Sequence, residues 1–440
     1  MTGCCRLWRD MKEPETYTEA LAFFERLPFF TRKNEPGNMV RLLRLLDSPE
    51  KAFHIVHVAG TNGKGSTSAF LESVFSGAGR KTGLFTSPHL VRINERIRVR
   101  GQSIPDEGFL ESFLRVRRAV DRLKEEGGQE LTYFEYLFAM SLVWFRSCGI
   151  DLMVCETGLG GRLDATRSID EVDAAVITSI SLDHTELLGD TVGQIAYEKA
   201  GIIRENTPVI YCAKDPDASR VIARRAEALR AEQIPLTEAM FRVTAREERS
   251  VRVRLTPPGG EALDLKVPFA AEYQAENACL AALCALRLGV DRSVVQDGIA
   301  RTRWPGRMEE IREDVFLDGA HNPDGVRLLS EEIRRIAKKR SVWLLAAIVS
   351  DKNHTRMVRE LCRGVHYAGV IVTSVGGRRK LDVQTLAKEF CLAGQENVEA
   401  EPDVGRAYAR ALREKGSSVL ICAGSLYLAG EILSIERRQV

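Results

Sequence analysis

A glycine-rich stretch at residues 57–67, His-Val-Ala-Gly-Thr-Asn-Gly-Lys-Gly-Ser-Thr, carries groups that suit phosphate binding. Gly60, Gly63 and Gly65 let backbone N–H groups converge on an anion, and Lys64 adds a mobile positive charge. The stretch connects a predicted strand to a predicted helix, and the N-terminus of a helix favours an anion. We predict a phosphate loop whose contact residues are Gly60, Thr61, Asn62, Gly63, Lys64, Gly65 and Ser66.

The loop departs from the usual Walker pattern at two positions. Val58 stands where that pattern has its first glycine, and Gly65 separates Lys64 from Ser66. A flexible connection with a surface lysine is the alternative interpretation. The glycines, the lysine and the hydroxyls in one strand-to-helix turn favour phosphate binding, and Ser66 or Thr67 is available to a bound Mg²⁺.

A second motif begins at Glu156, the last residue of an apolar run at 151–156. At the carboxyl end of a parallel strand, a carboxylate faces the crevice where ligands bind, and its oxygens suit Mg²⁺. Gly158, Gly160 and Gly161 follow and permit close backbone approach. A helix cap or a salt-bridged acid is the alternative. The spacing is not that of a dinucleotide fingerprint, so nicotinamide binding is not supported.

These motifs lie within a regular alternation of short β-rich runs and helix-length amphipathic segments, which predicts an α/β fold with a mostly parallel sheet. A first series has predicted strands at 54–59, 82–86, 151–156, 174–179 and 208–212, and an antiparallel hairpin is predicted at 245–268. A second, doubly wound series has predicted strands at 315–318, 342–348, 369–374 and 419–423. The Pro-Gly pair between Arg303 and Arg307 breaks regular structure. We therefore predict a phosphate-loop domain at 1–303 and a smaller Rossmann-like domain at 304–440.

The composition excludes several classes of protein. The chain has 440 residues, of which 44% are hydrophobic and 28% charged, as in a globular protein rather than a disordered or fibrous one. Its 63 basic and 61 acidic residues leave a net charge of +2, so no global field attracts nucleic acid or an anionic membrane. Its apolar runs are shorter than the roughly 18 residues of a membrane span, and the amino terminus lacks a secretory core. We expect a cytosolic protein.

Eight motifs, in order, resemble those of the folylpolyglutamate synthase/dihydrofolate synthase family, the folate branch of the Mur ligases. They are Gly-Thr-Asn-Gly-Lys-Gly-Ser at 60–66, Thr-Ser-Pro-His-Leu at 86–90, Glu-Thr-Gly-Leu-Gly-Gly-Arg-Leu-Asp-Ala-Thr at 156–166, Asp-His-Thr-Glu-Leu-Leu-Gly at 183–189, Glu-Lys-Ala-Gly-Ile at 198–202, Trp-Pro-Gly-Arg at 304–307, Asp-Gly-Ala-His-Asn-Pro at 318–323 and Gly-Ser-Leu-Tyr-Leu at 424–428. The resemblance runs from about residue 20 to residue 435 and implies a Mur-ligase-like fold for both domains.

The resemblance also implies a reaction. ATP transfers its γ-phosphoryl group to a carboxylate of a folate, and the amine of L-glutamate displaces phosphate from the acyl phosphate. Positioning and electrostatics carry most of such catalysis. Dihydropteroate as a second acceptor, a monovalent cation such as K⁺ and the length of the glutamate chain are left open. The implied partners are these small molecules, and the implied assembly is a monomer.

Site residues follow from the same resemblance. Asn277 and Arg307 contact ATP, Asp318 contacts its ribose or phosphate region, and His321 acts beside Lys64 on the reacting groups. The residues implied as ligands of two Mg²⁺ ions are Ser87, Glu156, His184 and a carbamylated Lys199. For His184, a structural pair with Asp183 is the alternative. For Lys199, the alternative is an unmodified amine that pairs with Glu198 or a phosphate.

Folate recognition is implied for three segments, 87–90, 94–97 and 133–135. Phe134 is able to stack on a flat heterocycle, and burial in an apolar helix with Tyr136 and Phe138 is the alternative. Two positions depart from the family pattern. Arg167 replaces a common asparagine, which affects how the acceptor is held, and Gly-Gly-Arg-Arg-Lys at 376–380 replaces a Pro-Arg segment.

Two other functions compete with this interpretation. A Mur ligase that acts on a UDP-muramyl peptide shares the phosphate loop, but it carries an additional amino-terminal domain, and too few residues precede Gly60 to form one. A non-catalytic nucleotide-binding module would not need an intact set of metal and acceptor motifs, and that set is present here.

Overall fold

The computed structural model describes residues 13–27, 36–247, 249–377 and 379–438, and it has an α/β fold with two mostly parallel sheets. The first sheet has the order β4-β3-β2-β5-β1-β6-β7-β8. Its strands are β1 His54–Ala59, β2 Thr82–Phe85, β3 Ile97–Val99, β4 Gln102–Ser103, β5 Leu152–Glu156, β6 Ala174–Ile177, β7 Val209–Cys212 and β8 Gln233–Leu236. The pairings from β2 to β8 are parallel, whereas β3 and β4 add antiparallel pairings at one edge.

Helices cover both faces of this sheet, because its strands are apolar on both sides. Along β1, Ile55 packs into one core, whereas Val56 and Val58 pack into the other. Met153 and Val154 of β5 divide in the same way, as the two-residue period of a strand requires. The helices before residue 303 are α1 Tyr17–Arg26, α2 Pro36–Leu45, α3 Lys64–Gly77, α4 Asp106–Glu125, α5 Tyr133–Cys148, α6 Thr185–Leu188, α7 Val192–Lys199, α8 Pro216–Ala228, α9 Gln274–Arg287 and α10 Arg292–Arg301.

A small antiparallel sheet is appended to this unit. Its strands are β9 Phe241–Arg246, β10 Val251–Leu255 and β11 Leu263–Val267, in the order β11-β10-β9. The antiparallel hairpin predicted at 245–268 is confirmed by β10 and β11, whereas the third strand, β9, was not predicted. Strands β10 and β11 alternate buried and exposed residues, whereas β9 has no buried residue, so β9 lacks the pattern that reveals a strand.

The second sheet has the order β12-β13-β17-β14-β15-β16. Its strands are β12 Glu309–Arg312, β13 Val315–Leu317, β14 Val342–Ala346, β15 Gly369–Val372, β16 Val398–Ala400 and β17 Val419–Ala423, and its helices are α11 Pro323–Ala337, α12 His354–Cys362, α13 Val383–Leu392, α14 Val404–Glu414 and α15 Leu426–Arg438. All pairings except β12 with β13 are parallel. Leu344 and Leu345 of β14 pack into different cores, so this unit also has helices on both faces.

The predicted α/β class with a mostly parallel sheet and a second doubly wound unit is confirmed. Among the described residues, no helix combines the length and the apolar character needed to cross a membrane. Within each unit the parallel strands end at one common edge. The loops that leave these edges carry the motifs described above.

Candidate active site

The glycine-rich loop connects β1 to α3, as predicted, and it encloses its own lysine. The Nζ atom of Lys64 donates hydrogen bonds to the carbonyl oxygens of Gly60 and Thr61, both at 3.1 Å. Ser66 lines the open space beside the loop, whereas Thr67 is fully buried. The hydroxyl of Ser66 accepts a hydrogen bond of 3.1 Å from the side chain of Gln274.

Two glycines of the loop are required by close contacts. Gly60 has φ +150°, and a Cβ atom there would lie 1.8 Å from Oγ1 of Thr178. Gly63 has φ +87°, and a Cβ atom there would lie 2.1 Å from Oδ1 of Asn277. Asn277 is buried and donates a hydrogen bond of 2.9 Å to Gln274, so the α9 helix holds it against the loop.

Substitution of Gly63 by alanine tests this arrangement. A Cβ atom in the left-handed region costs roughly 1–2 kcal/mol, and here it must also displace Asn277. We expect Gly63→Ala to weaken ATP binding by at least about tenfold, a change of about 1.4 kcal/mol, in a calorimetric titration. Gly79→Ala is the matched control, because Gly79 has φ +84° with no heavy atom within 4 Å of the added Cβ. An equal loss of affinity in both variants would contradict the proposed contact.

Two cavities meet at the loop, and together they are lined by every residue predicted to contact the nucleotide, a metal ion or the reacting groups. The larger has a volume of about 800 Å³ and the second about 770 Å³. The first is lined by Gly60, Thr61, Asn62, Gly63, Lys64, Gly65, Ser66, Ser87, Glu156, His184, Lys199, Arg307 and His321, and the second by Asn62, Gly63, Ser66, Asn277, Arg307, Asp318 and His321. Both cavities are lined by Asn62, Gly63 and Ser66 of the loop and by Arg307 and His321 of the second unit. The two cavities therefore join between the phosphate loop and the second unit.

Glu156 ends β5 on the floor of the larger cavity, where it is only 3% exposed. Its Oε2 atom accepts a hydrogen bond of 3.2 Å from the backbone N–H of Ser87. Burial raises the pKa of Glu156 to about 7, although the charges of Lys64 and Arg307 oppose the shift. A carboxylate in this state is stabilised by any further cation that enters the cavity.

Asp318 follows β13 in the second cavity and is almost completely buried. Its carboxylate accepts hydrogen bonds from the hydroxyl of Tyr273 at 2.7 Å and from the backbone of Met308 and Ala320 at 2.9 and 2.8 Å. Burial raises its pKa, while the charge of Arg307 acts in the opposite direction. The sequence did not indicate Tyr273, because no motif includes it.

Two histidines predicted to act at the site are uncharged at neutral pH. Burial lowers the pKa of both His184 and His321 to about 4, and Lys352 contributes to each shift. Nδ1 of His321 lies 2.9 Å from the carbonyl oxygen of Gly319. His184 has φ 50° and immediately precedes α6, seven residues beyond the end of β6 at Ile177.

Lys199 is the last residue of α7 and is 4% exposed. Its Nζ atom donates a hydrogen bond of 2.6 Å to the carbonyl oxygen of Gly60, the same oxygen that accepts a hydrogen bond from Lys64. Glu198, the residue before it, pairs with Arg162 at 2.8 Å.

A polar network that the sequence did not indicate joins the two units beside the loop. The side chain of Asn322, at the start of α11, donates to Asn62 at 2.9 Å and to Asp183 at 3.1 Å. Asn62 donates to Asp324 at 3.1 Å, and Lys352 donates to Asp183 at 2.8 Å. Burial raises the pKa of Asp183, but His184 and Lys352 outweigh burial and hold it below its ordinary value. The helix-start signal Asn-Pro was present at Asn322, whereas no pattern marked Lys352.

The larger cavity also extends along the segments predicted to bind folate. Phe134 lines it, whereas Tyr136 and Phe138 are fully buried in the core of the first unit. Phe134 is therefore open to a ligand in the cavity, as stacking would require, whereas burial in the apolar helix describes Tyr136 and Phe138. Asp164 and Ala165 line the same cavity, but Arg167 is absent from its lining and its backbone carbonyl accepts a 3.0 Å hydrogen bond from Arg204.

Among the described residues, no group of three or more His, Cys, Asp or Glu side chains is gathered as a metal centre. The larger cavity instead offers single oxygen donors beside the phosphate loop, namely Glu156 and Ser87. Magnesium is commonly held in this way, by one or two carboxylates together with substrate phosphates and water.

At the junction of the two α/β units, a glycine-rich strand-to-helix loop and two cavities form a site of the kind that nucleotide-using enzymes have. The family model of the "Mur ligase middle domain" matches residues 58–285. The family model of the "Mur ligase, glutamate ligase domain" matches residues 306–426. A "Dihydrofolate synthase/folylpolyglutamate synthase" of Bacillus subtilis is 32% identical over 422 residues, which are 90% of this chain and 93% of the relative.

Two solved structures are also similar. The Mycobacterium tuberculosis folylpolyglutamate synthase complexed with ADP and AMPPCP has a TM-score of 0.86 at 27% identity, covering 97% of this chain and 99% of its own. The E. coli FolC in complex with DHPP and ADP has a TM-score of 0.84 at 29% identity, covering 98% and 100%. The chain belongs to the folylpolyglutamate synthase/dihydrofolate synthase family of Mur ligases. The predicted family and the predicted enzyme class, an ATP-dependent ligase, are confirmed.

Proposed function

We propose that this chain uses ATP to join L-glutamate to a folate, and also to dihydropteroate. One observation carries the proposal: two cavities of about 800 and 770 Å³ meet at the phosphate loop. A nucleotide in the second cavity therefore delivers its terminal phosphate to an acceptor in the first. The relatives' names, and the structures that contain nucleotides or DHPP, support the same assignment.

The reaction proceeds in two displacements. A carboxylate oxygen of the acceptor attacks the γ-phosphorus, ADP leaves, and an acyl phosphate forms. The amine of glutamate then attacks the acyl carbon, loses a proton and displaces phosphate. Lys64 and Arg307 stabilise the charge of the transferring group, and His321 lies at the junction of the cavities beside the reacting atoms.

The nucleotide contacts are assigned to three further groups. The backbone of residues 60–66 holds the phosphates, and Asn277 closes the loop from the side of α9. Asp318 lies in the second cavity with its orientation fixed by three hydrogen bonds, and we assign it to the ribose. We propose the division into domains at 1–303 and 304–440, because the nucleotide then lies between them.

The residues of the larger cavity fit Mg²⁺. Glu156 is a buried carboxylate that accepts one hydrogen bond from a backbone N–H. Burial raises its pKa to about 7, and a bound cation would stabilise its ionised form. We propose that Glu156 and Ser87 hold one ion, and that His184 and a carbamylated Lys199 hold a second. When bound, Mg²⁺ neutralises the phosphates during transfer.

The proposed function is tested by one assay that couples ADP release to ligation. Purified protein is given L-glutamate and Mg·ATP with dihydropteroate, tetrahydrofolate, tetrahydrofolate diglutamate or a UDP-muramyl peptide as acceptor. We expect glutamate-dependent ADP release with the first two. ADP release with the UDP-muramyl peptide and with no other acceptor would assign the chain to the cell-wall branch. If none of the four acceptors supports glutamate-dependent ADP release, the chain is a non-catalytic nucleotide-binding module. We further propose that the enzyme is a monomer of the cytosol.

A further inference from the structure

Arg96 is a buried cation on the wall of the larger cavity. Only 6% of it is exposed, and it belongs to a short helical turn, Ile93–Arg96, that leads into β3. Among the described residues, no carboxylate forms an ion pair or hydrogen bond with its guanidinium. Its neighbour Arg92 instead makes two hydrogen bonds with Asp106, at 2.7 and 3.0 Å. The carboxylates of Glu156 and Glu95 act on Arg96 electrostatically. Because neither is bonded to its guanidinium among the described residues, the buried cation still lacks a bonded anion, which a ligand can supply.

The contacts of Arg96 leave its hydrogen-bond donors to the cavity. Its Nε atom donates to Nδ1 of His89 at 2.8 Å, and its guanidinium carbon lies 5.3 Å from the ring centroid of Tyr133. These contacts fix the plane of the guanidinium and use one of its five N–H groups. The two terminal nitrogens keep the forked geometry that matches a carboxylate.

His89 adds to this donor surface. It also lines the larger cavity. Because Nδ1 accepts from Arg96, the ring proton is on Nε2, and the imidazole is itself a donor. Arg96 and His89 together present donors and a positive charge to the cavity.

We infer that Arg96, held by His89 and Tyr133, binds the reactive carboxylate of the acceptor. The inference rests on the proposed function and adds the residue that recognises and orients that carboxylate. The backbone carbonyl of Arg96 accepts a 3.0 Å hydrogen bond from Thr86, the residue before Ser87, and Arg96 lines the same cavity as Ser87 and Glu156, so it lies towards the proposed metal and phosphate side. Tyr133 and Phe134 line the same cavity and give the aromatic part of the acceptor a surface to lie along.

The test compares two ligands, dihydropteroate and its primary carboxamide, in the presence of Mg²⁺ and a non-hydrolysable ATP analogue. For the wild type we expect the acid to bind at least about tenfold more tightly than the amide, since a charge-assisted fork is lost in the amide. Arg96→Gln should weaken binding of the acid by roughly 10- to 100-fold and change binding of the amide by less than about threefold. Affinity for the ATP analogue should not change.

Two further variants make the result specific. Arg92→Gln removes the same charge from the same turn, but outside the cavity, and should leave both affinities unchanged. Arg96→Lys keeps a positive charge but lacks the two parallel N–H donors of the guanidinium, so we expect a preference for the acid between those of the wild type and Arg96→Gln. This variant also tests the inference if Arg96→Gln fails to fold. Equal weakening of acid and amide, or no change in either, would overturn the inference. A wild type that binds neither ligand would refute the proposed function instead.

Discussion

Lys64→Ala is expected to reduce ligation by roughly 10³-fold, because the transferring phosphoryl group loses its positioned cation. The lysine is prepared for this role, since among the described residues its Nζ atom donates to the carbonyl oxygens of Gly60 and Thr61 within its own loop. A hydrogen bond with a charged partner contributes roughly 1.5–3 kcal/mol, and a nucleotide phosphate replaces these bonds by bonds in which both partners are charged. The measurement is kcat for glutamate-dependent ADP release at saturating ATP.

The matched control for this variant is Lys81→Ala. Lys81 is another lysine of the first unit whose Nζ atom donates to a backbone carbonyl, that of Cys148, and it lines neither cavity. We expect its activity to remain close to that of the wild type, with a comparable change in the thermal midpoint. Near-normal turnover of Lys64→Ala would refute the role of the loop in phosphoryl transfer.

Glu156→Gln is expected to raise the Mg²⁺ concentration for half-maximal activity by at least about tenfold, because the neutral amide is a poorer ligand for a hard cation. The pKa of about 7 for Glu156 also predicts a pH dependence. As the pH falls below about 7, protons compete with the metal, so the apparent Mg²⁺ affinity of the wild type should decline. The variant should show no such decline, and an unchanged requirement for Mg²⁺ would count against ligation by Glu156.

Stability separates this effect from misfolding. An acid with a raised pKa binds its proton more tightly in the folded state, so its contribution to stability falls as the pH rises from the unfolded pKa through about 7. Without metal, Glu156→Gln should therefore raise the thermal midpoint at about pH 8 more than at about pH 5. If the thermal midpoint of Glu156→Gln is lower than that of the wild type at both pH values, the substitution causes a packing defect. Its effect on activity would then not support a metal-binding role for Glu156.

The sequence predicted the elements better than their ends. Strands predicted to reach residues 86, 179 and 318 end at Phe85, Ile177 and Leu317. The residues that follow still bond to the neighbouring strand segments, because the backbone N–H of Thr86 donates to Arg96 and that of Thr178 donates to Ala59. The hydroxyl of Thr178 also donates to Asn62 of the phosphate loop. The pairing therefore fades over one or two residues where the chain begins to form the site, and a sequence pattern does not locate such an end.

The site was predictable where one segment carries its own signal. The phosphate loop has that property, since its glycines, lysine and helix start are consecutive. Lys352 and Tyr273 lie outside every motif, and each matters only because the fold brings it to a carboxylate from elsewhere in the chain, Asp183 or Asp318. Long-range pairs of this kind leave no periodicity or spacing in a single sequence.

The network of Asn62, Asn322, Asp183 and Lys352 has a consequence for the catalytic cycle. The network bonds Asn62 of the phosphate loop directly to the second unit. Nucleotide binding at the loop and closure of the two units therefore involve the same side chain. If ADP departs only when the units separate, these bonds must break in every round of catalysis. The bond between Asn322 and Asn62 contributes about 1 kcal/mol, and the three bonds to carboxylates contribute roughly 1.5–3 kcal/mol each. The network therefore favours the assembled state, and its bonds can still break one at a time in each cycle.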